Sequence, residues 1–67
     1  MLKIPDFTRL EIEYIKSQAN FTAQESELFD LRNSETTLEV CAELMNVSLS
    51  TVKRINKKMK AKIIKIL

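Results

Sequence analysis

Sixty-seven residues bound the protein to one domain, and a chain this short buries only about 60% of the surface its unfolded form exposes, which excludes a second site with its own core. With 45% apolar and 30% charged residues the composition is globular rather than disordered, while one cysteine, Cys41, and no histidine exclude an internal disulfide and leave too few soft ligands for zinc. The net charge is only +2, yet residues 1 to 43 carry four basic and nine acidic groups, −5, and residues 44 to 67 carry seven basic groups and no acid, +7, an asymmetry that points to a polyanionic partner facing one end.

With no glycine, one proline and no alternating strand pattern, the chain reads as all-α, a small four-helix domain spanning residues 1–67, with helices at about 9–18, 23–32, 37–45 and 49–66. Three T-x-x-E spacings, Thr8 with Glu11, Thr22 with Glu25 and Thr36 with Glu39, predict three capping boxes and so three helix starts. Phe7 and Ile12 are placed as a hydrophobic staple for the first helix, whose inward face is expected to carry Leu10 and Tyr14 with Ile12 and Ile15. Ala19 and Asn20 close it. The second helix offers Leu28, Phe29 and Leu31 to the core and ends at Asn33 and Ser34. The third carries Leu38, Cys41, Ala42 and Met45 as a buried stripe and stops at Asn46.

Ser48 caps the fourth helix, with Val47 and Val52 as its staple, and no breaker follows before the last residue, so this helix is elongated. Turning about 100° per residue, Val52, Ile55, Met59, Ile63 and Ile66 fall on one side, with Ser50, Lys53, Arg54 and Lys57 almost directly opposite. Ile64 and Leu67 lie off the apolar stripe, and either pack on the first helix or form a homodimer contact between C-terminal helices. Lys60, Lys62 and Lys65 are expected to supply non-specific phosphate attraction.

Between the third and fourth helices the spacing is that of a helix-turn-helix. Ala42 is the small residue that permits close approach, and Asn46, four residues on, tolerates the left-handed conformation that the turn requires. Val47 and Val52 then pin the following helix to the core. The run F-T-x-x-E-x-E-L-F-x-L-R and the later T-L-E-V-C-A-E-L-M-N-V-S-L-S-T-V-K-R together resemble region 4 of the sigma-70 family and the LuxR-type response-regulator domains. The resemblance covers residues 21 to about 58, is most specific over Ser48 to Lys53, and departs from the family in Asn46, where glycine is usual. It implies a bacterial or phage transcription regulator whose last helix reads the major groove of double-stranded DNA. Thr51 would then touch a phosphate beside the helix N-terminus, Lys53 and Arg54 would be the leading contacts, Ser50 and Lys57 would extend the same face, and Lys58 would join them in binding DNA.

Two other readings use the same residues: a region 4-like module holding RNA polymerase or another protein, and a basic amphipathic helix lying on anionic lipid. No catalytic residue, cofactor or metal is expected, because paired carboxylates in a pocket, a histidine base and a glycine-rich loop are all lacking; the chain does not read as an enzyme. Cys41 lies on the apolar stripe of the third helix and reads as a small core residue. No apolar run approaches the roughly 20 residues of a membrane span, and MLKIPDF lacks the long apolar core of a signal peptide, so a cytoplasmic protein is the expectation.

Overall fold

Each helix of the computed structural model, which describes residues 7–67, begins at a hydroxyl side chain standing in extended backbone. Thr8 opens α1 (Arg9–Gln18) and Thr22 opens α2 (Ala23–Asn33), and both make complete capping boxes with Glu11 and Glu25. α3 covers Leu38–Met45 and α4 covers Leu49–Ile66. No strand occurs among the described residues, so this part of the chain is all-α as expected.

The third expected box does not form. Thr37 caps α3, its Oγ1 accepting from the Val40 N–H at 3.3 Å, so the helix starts at Leu38. Thr36 is occupied in closing α2: its N–H donates to the Leu31 carbonyl at 3.2 Å, while its own carbonyl accepts from the Arg32 guanidinium at 2.7 Å. Together with the Glu35 N–H donating to Arg32 O at 3.0 Å, these bonds make a Schellman closure, and Glu35 takes the left-handed position at φ 59°. Of two adjacent threonines, the one left over by the preceding helix becomes the cap, and Glu39 falls one position short of a reciprocal bond.

The core draws on all four helices: Ile15 and Ala19 from the α1 end, Leu28 and Phe29 from α2, Cys41 and Ala42 from α3, and Val52, Ile55, Met59 and Ile63 from α4. α4 therefore supplies its longest wall, from the stripe its sequence predicts. Phe21 closes one side with its ring centroid 5.3 Å from that of Phe29 in a tilted contact. For α1 the expected face is corrected: Ile15 is fully buried and Ile12 half-buried, whereas Leu10 and Tyr14 are exposed. Two stripes of similar spacing compete on this helix, and Phe7 and Ile12, both packed against the core, hold the Ile12, Ile15, Ala19 stripe inward. Ile64 and Leu67 are also exposed, 64% and 66%, so they do not pack on α1.

Candidate nucleic-acid interface

Three residues, Asn46, Val47 and Ser48, connect α3 to α4. Asn46 is left-handed at φ 57° and ψ 45°, its N–H reaching Glu43 O at 3.2 Å, and the Val47 N–H donates to Ala42 O at 3.0 Å. Such paired bonds satisfy carbonyls that the end of α3 would otherwise leave orphaned. Ala42 is 7% exposed at the contact and Val47 packs on the core, so the small residue, the left-handed residue and the apolar residue each occupy the position their chemistry suits.

Val52, Ile55 and Met59 clamp the inner side of α4, and this fixes what points outward. Ser50, Lys53, Arg54, Lys57 and Lys58 are all exposed. The ion pairs among the described residues are Lys16 with Asp30 and Lys62 with Glu25, so none of these four cations is neutralised by a carboxylate of the described chain. Thr51 is half-buried, and its hydroxyl lies 2.9 Å from Ser48 Oγ, the same oxygen that accepts the Thr51 N–H at 3.2 Å. Ser50 Oγ stands 3.2 Å from Ser48 Oγ. The start of α4 is thus a cluster of three hydroxyls beside the positive end of a helix dipole, with no acid in its first turn.

Lys62 has a different place from the one its sequence position suggests. Its ammonium donates to Glu25 Oε1 at 2.5 Å and to the Asn20 carbonyl at 3.2 Å, so it ties α4 to the start of α2 and to the corner after α1. Glu25, 4% exposed, also accepts the Thr22 N–H. Burial of the Glu25 carboxyl works to raise its pKa, but the Lys62 hydrogen bond, the Thr22 N–H and the Lys62 charge outweigh it, and the net pKa is below the ordinary carboxylate value. Lys62 is therefore a structural cation and leaves the set expected to attract phosphate. Local sequence carries one sign of this: on the wheel Lys62 borders the stripe of Met59, Ile63 and Ile66. Its partners, 37 and 42 residues away, are invisible there.

Cys41 is fully buried, and burial pushes its thiol pKa up against the smaller opposing influence of the Arg32 charge, the reverse of what an activated nucleophile needs. Among the described residues no cluster of histidine, cysteine and carboxylate side chains is arranged to hold a metal ion. No helix there is long and apolar enough to cross a membrane. No protein-family model, curated protein or solved structure matches the chain.

Proposed function

We propose that the protein is a sequence-specific regulator of transcription that binds double-stranded DNA through a helix-turn-helix formed by α3 and α4, with residues 49–58 lying in the major groove. The observation that carries this reading is the outward face of α4, where Lys53, Arg54, Lys57 and Lys58 are exposed and unneutralised by the described carboxylates. A helix about 10–12 Å wide fits a groove of about 12 Å. Ser50, Lys53, Arg54 and Lys57 lie opposite the buried stripe and are assigned to base edges, whereas Thr51 and Lys58, turned to one flank, are assigned to phosphates. The left-handed Asn46 after Ala42 supports the same reading, as does the resemblance to sigma-70 region 4 and LuxR-type domains.

The test is binding to a random duplex library, followed by titration of a selected duplex at several salt concentrations. Affinity should fall with salt at a logarithmic slope of about −2 to −4, as expected for a few phosphate contacts. Lys53→Ala and Arg54→Ala should each cost about 1–3 kcal/mol and relax base preference. Undetectable duplex binding at low salt would sink the proposal.

A further inference from the structure

Beyond the face assigned to DNA, the described residues leave six large apolar side chains exposed, and they fall into three pairs: Leu10 with Tyr14 on α1, Val40 with Leu44 on α3, and Ile64 with Leu67 at the end of α4. Each pair is three or four residues apart, so its members share one helix face. Their charged neighbours differ. α3 carries Glu39 and Glu43, both exposed, and no basic residue, and Glu43 lies three residues from Val40 and next to Leu44. The end of α4 carries only cations, and Lys60 lies one turn before Ile64 on the same side. α1 mixes Arg9 and Lys16 with Glu11 and Glu13, so its charges favour no sign of partner.

We propose that the protein associates with itself by packing the Val40 and Leu44 face of α3 in one copy against the Ile64 and Leu67 face of α4 in a second copy. The two surfaces match in kind: an apolar pair bordered by carboxylates meets an apolar pair bordered by ammonium groups. The alternatives are mismatched. Joining α4 to α4 brings together two surfaces flanked only by cations, and joining α3 to α3 two flanked only by carboxylates; like charges across an interface are unfavourable. Neither Glu43 nor Lys60 has an ion partner among the described residues, so pairing breaks no salt bridge recorded there. The inference is independent of DNA binding and is tested without DNA.

Sedimentation equilibrium of the full chain over a concentration series reads the association directly. The weight-average mass should rise above the 7.8 kDa of one chain. Glu43→Lys and Lys60→Glu should each weaken association by about fivefold, because an attraction becomes a repulsion, and the double charge swap should restore it. Leu44→Ser and Ile64→Ser should weaken it with an unchanged unfolding midpoint in dilute solution, since both side chains are largely exposed. Glu13→Lys should leave it unchanged. The proposal is overturned if the wild-type mass stays at one chain up to about 1 mM, the weak end of measurable affinities. It is equally overturned if Lys60→Glu or Glu43→Lys alone strengthens association, if the double swap fails to restore it, or if Glu13→Lys weakens it as much as Glu43→Lys does.

Discussion

The two halves of α4 put the same kind of side chain to opposite uses. In the first half Lys53, Arg54, Lys57 and Lys58 stand exposed and form no ion pair with a described carboxylate. In the second half Lys62 lies against Glu25, whose side chain is only 5% exposed, and completes the corner where α1 gives way to α2. What separates them is which element is packed beside that stretch of helix, since the local sequence is lysine-rich in both. An ammonium on a long helix becomes structural where the fold pairs it with a buried carboxylate and stays available where no such pair forms.

The sharpest way to break this contrast is to remove one cation from each half. Lys62→Ala leaves Glu25 buried without its partner and should cost about 2 kcal/mol in urea unfolding; the full penalty for a buried pair is larger, and the partial exposure of Lys62 reduces it. Arg54→Ala should change stability by less than about 0.5 kcal/mol, while carrying the loss of duplex affinity given above. The contrast fails if the two variants exchange these signatures.

Acid unfolding sharpens the same point. Because the folded pKa of Glu25 lies below its unfolded value of about 4.3, the unfolded chain binds more protons in that range, and the pair's contribution is complete above it and lost as pH falls through the folded pKa. Wild-type stability should therefore fall as pH drops below about 4.3, and Lys62→Ala should fall less steeply, since the partner that lowers the Glu25 pKa is gone. Parallel pH profiles for the two proteins would count against the pair as the cause.

A smaller effect separates the adjacent threonines between α2 and α3. Thr37→Ala removes the hydroxyl that caps α3 and should cost about 1 kcal/mol. At Thr36→Ala the backbone groups that close α2 remain, and the loss should stay under about 0.5 kcal/mol. Thermal melts of the two variants should rank in that order.

How much could be read in advance follows the range of each interaction. The boxes at Thr8 and Thr22, the cap at Ser48 and the apolar stripe of α4 are set by neighbours within one or two helical turns, and the structure has them where the sequence puts them. The inward face of α1 was ambiguous, because Leu10 with Tyr14 and Ile15 with Ala19 both have four-residue spacing and packing chose the second. The cap of α3 turned on how α2 ends, and the use of Lys62 on a residue 37 positions away. On the candidate interface, the exposed cations were legible from the wheel, whereas the involvement of the Thr51 hydroxyl with Ser48 was not.

Asn20, Glu35 and Asn46 adopt left-handed backbone, at φ 54°, 59° and 57°, in a chain that has no glycine. Each such residue carries steric strain in the folded state, least where an asparagine side chain accommodates it and most at Glu35. The other side of that choice lies in the unfolded ensemble. A chain in which every residue bears a β-carbon has fewer backbone conformations to give up on folding than one with glycine at its corners. The strain held at three turns is thus offset by a more restricted disordered chain, which matters most in a domain whose core is this small.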